Sequence, residues 1–385
     1  MNLKLVGSSL IVAGTALGAG MLAIPMVLAQ FGLIWGTLLM LFIWVGTTYA
    51  ALLLLEASCK VGGGASMNAI ARVTLGKSGQ LVTNGLLYAL LICLLMAYII
   101  GAGDLVQKVS ANAGFKLSTL SSQVGFTLIA GLIVSMGTAV VDKLNRLLFA
   151  GMVVALVLTL MALVPNMSLV NLADHVSNDK VALIKTSSVL FTSFAFMVVI
   201  PSLVTYNKEA SKSQLRNMII LGSVIPLVCY LLWLYAAVGN LSSDQLVQFA
   251  SVSELIAALG TKYAGMELIL SIFTGLALLT SFLGVAMALY DQNADIFKVS
   301  RPVLFVITFI LPLLGAVIAP EQFLAVLGYA GIILVFLAVF VPMAMTLKVR
   351  KMETALVEAY EAGGGAMAMS LSFVFGCFLL LAQVI

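Results

Sequence analysis

The chain has 385 residues, of which 62% are apolar and only 9% charged, with a formal net charge of +4. Soluble domains carry about a quarter charged residues, so this composition cannot cover a water-facing surface; soluble enzymes, disordered tails and nucleic-acid binders are excluded. Cys59, Cys93, Cys229 and Cys377 form no Cys-x-x-Cys pair and predict neither a disulfide framework nor a zinc site.

The first apolar run, 5–29, is longer than the core of a secretory signal and reads as a retained first membrane span. A spanning helix takes about 20 mostly apolar residues. Dividing the chain at its polar clusters predicts eleven spans: 5–29, 32–56, 80–103, 121–141, 147–165, 185–206, 217–239, 266–290, 301–318, 322–347 and 367–385. An odd count places the termini on opposite sides. Fourteen of the 19 Lys and Arg residues fall in one set of connections, from Lys4 through Lys60, Arg146 and Lys208 to Lys351. Excess Lys and Arg marks the cytoplasmic face, so the N-terminus is expected inside and the C-terminus outside. Gly62-Gly63-Gly64 and Gly363-Gly364-Gly365 follow no strand and precede no Lys-Ser/Thr pair, and read as linkers.

The first span contains Gly14, Gly18, Gly20 and Pro25 within a dozen residues, a pattern hard to keep as one regular helix. Close helix packing accounts for the Gly14/Gly18 pair but not for Gly20 or Pro25. A new half-helix starting just after Gly20 would place Pro25 near its beginning. The sixth span supplies a counterpart. Ala19-Gly20-Met21-Leu22-Ala23-Ile24-Pro25 aligns with Ala195-Phe196-Met197-Val198-Val199-Ile200-Pro201, identical at four of seven positions. The two breaks fall at the same place in two five-span halves, 1–165 and 166–347, which would be inverted relative to each other; residues 348–385 then form a linker and one extra C-terminal helix.

Interrupted segments at matching positions of inverted halves point to a transporter's midplane site. An unwound stretch in the bilayer leaves backbone groups unpaired, tolerable only where a cavity or ligand satisfies them. Half-helix N-termini suit a carboxylate, and the opposing carbonyl ends suit an ammonium group or a metal cation. One cavity could thus hold a zwitterion, and a free amino acid is the natural ligand. Phe191, Ser193, Phe194 and Phe196, with Tyr98 from the third span, would line its side-chain pocket and favour a bulky apolar or aromatic solute. Each ring is equally compatible with ordinary core packing.

No ionisable residue lies deep in any span, and the single histidine, His175, falls in an outer connection. Asp104 is the nearest candidate proton carrier, against its reading as a solvated helix end. In the eighth span the Ala277 carbonyl and the Thr280 and Ser281 hydroxyls share a helix face. With the Gly14 and Leu17 carbonyls they could form a neutral oxygen cage suited to sodium. The alternative is that both hydroxyls bond to their own helix.

At these residues the sequence resembles the bacterial hydroxy and aromatic amino acid permeases, most closely the tyrosine-specific branch. The resemblance rests on Val12-Ala13-Gly14-Thr15 through Gly18-Ala19-Gly20-Met21-Leu22-Ala23, Ala51-Leu52-Leu53-Leu54-Leu55-Glu56, Phe191-Thr192-Ser193-Phe194, Thr280-Ser281-Phe282-Leu283-Gly284 and Leu327-Gly328-Tyr329-Ala330-Gly331. It implies an all-α integral membrane protein of eleven helices with a five-plus-five inverted-repeat (LeuT-like) fold and broken helices 1 and 6. It further implies import of tyrosine or a related aromatic amino acid across the inner membrane by proton symport. The substrate-binding positions it indicates are Gly18, Ala19 and Gly20, with Met21 beside them, and Phe191, Thr192 and Ser193, with Phe194, Phe196 and Met197 following. Sodium-coupled members of the superfamily match at Gly14, Leu17, Ala277, Thr280 and Ser281. One departure stands out. The family commonly reads Phe-Gly-Phe-His-Gly where this chain has Phe194-Ala195-Phe196-Met197-Val198. Met197 cannot donate a hydrogen bond to a tyrosine hydroxyl, so sodium-coupled or exchange transport of broader apolar amino acids is the alternative. An intramembrane enzyme would need His-Glu-x-x-His or paired carboxylates within the bilayer, and the sequence has neither. No organic cofactor is expected, and the chain is expected to work as a monomer in the lipid bilayer.

Overall fold

In lipid a backbone must satisfy its own hydrogen bonds, which leaves helices or closed barrels. The computed structural model describes residues 3–62, 65–173, 177–242, 245, 249–261, 265–352 and 360–384, and among these it contains helices and no strand. His175 lies outside the described residues. The helices are α1 (Leu3–Ala16), α2 (Gly20–Leu28), α3 (Gly32–Val61), α4 (Met67–Asn112), α5 (Thr119–Ser135), α6 (Thr138–Leu163), α7 (Leu169–Ala173), α8 (Lys180–Lys185) and α9 (Ser187–Ser193). They continue with α10 (Ile200–Tyr206), α11 (Lys212–Asn240), α12 (Val252–Gly260), α13 (Met266–Phe297), α14 (Arg301–Ile318), α15 (Phe323–Val335), α16 (Val341–Val349) and α17 (Gly365–Leu381).

Among the described residues, eight helical stretches are long and apolar enough to cross a membrane, accompanied by three shorter apolar helices, α1, α5 and α17. The predicted run 5–29 does not form one unbroken helix. It is divided between α1 and α2, and α2 joins α3 through a short 3₁₀ turn, Ala29–Phe31, closed by Gly32 at φ 74°. Glycine adopts that positive-φ backbone at little cost.

Packing depends on small residues at helix crossings. α1 lies against α11 at Gly222, where an added Cβ would stand 2.6 Å from the Val12 Cβ and 2.8 Å from the Ser9 carbonyl. The segment joining α15 to α16, Phe336–Phe340, is a π-helical turn. α15 packs on α4 and α9, whereas α16 packs chiefly on α3.

A charged cluster fastens the Lys4 end of the bundle. Glu56, fully buried at 0% exposure, receives Nε and Nη2 of Arg350 at 2.7 Å each and the Ala362 amide at 2.9 Å. Lys60, one turn on, pairs with both Glu56 and Glu361. The hydrogen bond and charge of Lys60 hold the Glu361 carboxylate below its ordinary pKa. This contact is therefore complete at neutral pH and is lost as pH falls through that lowered value. One turn further into the bundle, the buried Thr346 hydroxyl donates to the Leu53 carbonyl at 2.8 Å. Thr346→Val should remove this donor and lower unfolding stability by about 1 kcal/mol, measurable by denaturation in mild detergent.

Candidate functional site

Both glycine- and phenylalanine-rich breaks are present in the backbone. α1 ends at Ala16 and helix resumes at Gly20; α9 ends at Ser193 and regular α-helix resumes at Ile200 after a 3₁₀ turn, Met197–Val199. At the first break, a Cβ on Gly18 would stand 2.4 Å from the Ser281 Oγ, and one on Gly20 would stand 2.9 Å from the Ser193 Cα. Glycine is required here by close approach of a neighbouring helix. The Ala19 amide donates to the Ser281 Oγ at 2.9 Å, and helix restarts with Met21 donating to the Gly18 carbonyl and Leu22 to the Ala19 carbonyl, both at 3.1 Å. Among the described residues, the amide N–H groups of Gly18 and Gly20 find no acceptor.

Pro25 does not sit in the first turn of the new half-helix; it is the sixth residue of α2, inside the helix. A proline there removes the amide that would have bonded to the carbonyl four residues back. That carbonyl belongs to Met21, and the Trp233 indole N–H donates to it instead at 3.1 Å. The proline is tolerated because a side chain from α11 replaces its missing donor.

The two breaks are joined to each other. The Ser193 hydroxyl donates to the Gly20 carbonyl at 2.8 Å, and the Tyr230 hydroxyl stands 2.6 Å from the Ala16 carbonyl and 2.7 Å from the Ser193 carbonyl. Thr192, buried beside them, places its hydroxyl 2.9 Å from the Ser188 carbonyl and 3.1 Å from the Leu327 carbonyl of α15. Tyr230 and Trp233 are three residues apart on one face of α11 and are both fully buried. Sequence reasoning missed them. The available signal was two aromatic side chains with polar tips in mid-span, where each O–H or N–H must find a partner.

The named phenylalanines point in different directions. The Phe191 ring lies 5.9 Å from Phe375 of α17, while Phe194 meets the Tyr230 ring edge-on at 5.0 Å. Phe196 and Met21 are fully buried, and Met197 is 2% exposed. Tyr98 is buried on α4 with its phenol interacting with Ser281. Of the five oxygen-cage positions, Thr280 donates to its own helix at the Leu276 carbonyl, 2.8 Å away, and Ser281 accepts from Ala19. The Ala277 carbonyl is 3.2 Å from the Thr280 hydroxyl, Leu17 is helically bonded to Ala13, and Gly14 faces the Phe149 ring.

Asp104 is neither an unpartnered carrier nor a simply solvated end. Its two carboxylate oxygens accept from the amide and hydroxyl of Ser253, at 2.8 and 2.7 Å, and Lys108 donates to the Ser253 carbonyl. α12 is thereby held to α4 beside a cavity of about 280 Å³ that Asp104, Gln107, Glu254, Glu321 and Phe323 help to line. Asp104→Ala should release α12, seen as faster amide exchange across 252–260 with little change in the rest of the chain.

A sequence model of the tryptophan/tyrosine permease family matches residues 1–383. The chain belongs to this family. Members of the tryptophan/tyrosine permease family are multi-pass membrane transport proteins rather than enzymes. Full-length similarity runs to the glutamine transporter 2 of Aliivibrio fischeri, 58% identical over all of both chains. The tyrosine-specific transport system 1 of Haemophilus influenzae is 35% identical over 98% of this chain and 95% of its own length. The tryptophan-specific transport protein of the same organism is 32% identical over 99% and 96%.

Proposed function

We propose that this permease is a secondary transporter that imports a neutral amino acid across the bacterial inner membrane, holding the zwitterion between the two breaks. The observation that carries this reading is the pair of unpartnered amides at buried Gly18 and half-buried Gly20, which lead into the half-helix α2 and find no acceptor among the described residues. A substrate carboxylate supplies that acceptor, and the carbonyl ends of α1 and α9 receive the ammonium group. In this reading the chain has eleven spans in two inverted halves, 1–165 and 166–347, with α17 as the extra helix and the N-terminus in the cytoplasm. Alternating access moves one half against the other around the site.

Two side chains compete for the pocket. Family membership favours tyrosine or another aromatic amino acid. The 58% identity to a glutamine transporter, together with Met197 where a tyrosine hydroxyl would need a partner, favours glutamine. We rank glutamine first. Proton coupling is preferred to sodium because the Ser281 Oγ, one of the five cage positions, already accepts from the Ala19 amide.

Uptake of labelled glutamine and tyrosine into proteoliposomes tests this, with proton and sodium gradients imposed separately. Glutamine should accumulate under an inward proton gradient alone. Accumulation that requires sodium and is abolished by Thr280→Val would restore the oxygen cage; uptake of neither amino acid would overturn the assignment.

A further inference from the structure

Tyr230 carries one phenolic proton but stands at hydrogen-bond distance from two carbonyls, Ala16 at 2.6 Å and Ser193 at 2.7 Å. Only one of them can receive that proton in full. Among the described residues neither carbonyl has any other donor. Each is also the last residue of a half-helix, α1 and α9 respectively, and so carries the negative end of a helix dipole. Two negative helix ends thus converge on a fully buried point that is one donor short. The phenol is held there by Phe194 packed edge-on against its ring.

We propose that Tyr230 is a positioning residue for the substrate's ammonium group. Its hydroxyl bridges the two carbonyl ends, which would otherwise repel one another. Because it serves only one fully, the other waits for an N–H from a cation. The substrate ammonium donates to that carbonyl, and a second N–H can reach the phenol oxygen. No covalent bond changes and no proton leaves the substrate. The site therefore demands a primary ammonium group and rejects an acid of the same shape that lacks it. This inference rests on the reading that a zwitterion enters between the breaks; it adds the residue that makes the amine obligatory.

The test is competition against labelled glutamine uptake in proteoliposomes. The competitors are unlabelled glutamine and its des-amino analogue, glutaramate, which keeps the carboxylate and the side-chain amide. Wild-type protein should prefer glutamine at least 100-fold. Tyr230→Phe keeps the ring against Phe194 and loses only the hydroxyl. It should raise the glutamine KM about 10-fold and cut the preference over glutaramate at least 10-fold, leaving glutaramate inhibition unchanged. A proportional loss of both competitors would mark Tyr230 as a structural brace and overturn the proposal, as would an unchanged preference. If the variant fails to assemble, wild-type protein still decides. N,N,N-trimethylglutamine keeps the charge without an N–H and should compete at least 100-fold more weakly than glutamine; equal competition overturns the proposal. Absence of saturable glutamine or tyrosine uptake in wild-type protein would instead refute the transport assignment, whatever Tyr230 does.

Discussion

Gly20→Leu should lower amino acid uptake at least 100-fold at matched membrane levels and lower the unfolding temperature as well. A Cβ at this position already stands 2.9 Å from the Ser193 Cα, and that neighbour is backbone rather than the tip of a flexible side chain. A leucine adds three more carbons beyond that Cβ. The two breaks must separate, losing the hydrogen bond from the Ser193 hydroxyl to the Gly20 carbonyl and displacing the amides that would hold a carboxylate. Gly20→Ala is the graded version, because only the Cβ must be accommodated, and should cost about 10-fold. Comparing initial uptake rates at matched protein levels checks both. Uptake unchanged in the leucine variant would remove the candidate site.

Arg350→Ala should produce the largest loss of stability at any single position outside that site. Glu56 is fully buried, and Arg350 supplies two of its closest contacts. Removing one member of a buried pair leaves an uncompensated charge and typically costs about 3–5 kcal/mol. Arg350 is itself 27% exposed, so water can partly replace it and the expected loss is about 3 kcal/mol, the lower end of that range. Unfolding in mild detergent measures it. In a double-mutant cycle, Glu56→Leu combined with Arg350→Ala should be less destabilised than Arg350→Ala alone, since the buried carboxylate is then gone and Lys60 keeps its pairing with Glu361. Additive losses would show that the two side chains act independently.

The breaks were legible in the sequence because glycine and proline are expensive inside a membrane helix, and three glycines with a proline in a dozen residues leave few other readings. Their partners were not. Tyr230 and Trp233 act on the Ala16 and Met21 carbonyls, more than 200 residues away, and helical periodicity describes only neighbours along one helix. Pro25 illustrates the same limit: its presence signalled an interruption, yet its actual place within α2 depends on an indole from another helix. Phe191 and Phe194, three residues apart, read as one pocket wall, but the rest of α9 and the turn after it send them to α17 and α11. Asp104 looked like an isolated charge because the Ser253 that occupies it lies 149 residues further along the chain. Span boundaries were less legible. Span counting divided an apolar chain by its charges, whereas the folded helices are divided by glycine breaks and 3₁₀ turns that hydropathy does not register.

The wider turn between α15 and α16 has a bearing on how mutational scans of this region should be interpreted. A π turn accommodates one residue beyond the α-helical count, and each residue of an α-helix advances the side-chain direction by about 100°. Positions on either side of Phe336–Phe340 consequently do not share a single helical wheel. A stripe of sensitive positions followed down α15 would appear to jump sideways at Val341, and sites there would be misassigned to lipid or to protein unless the two halves are projected separately.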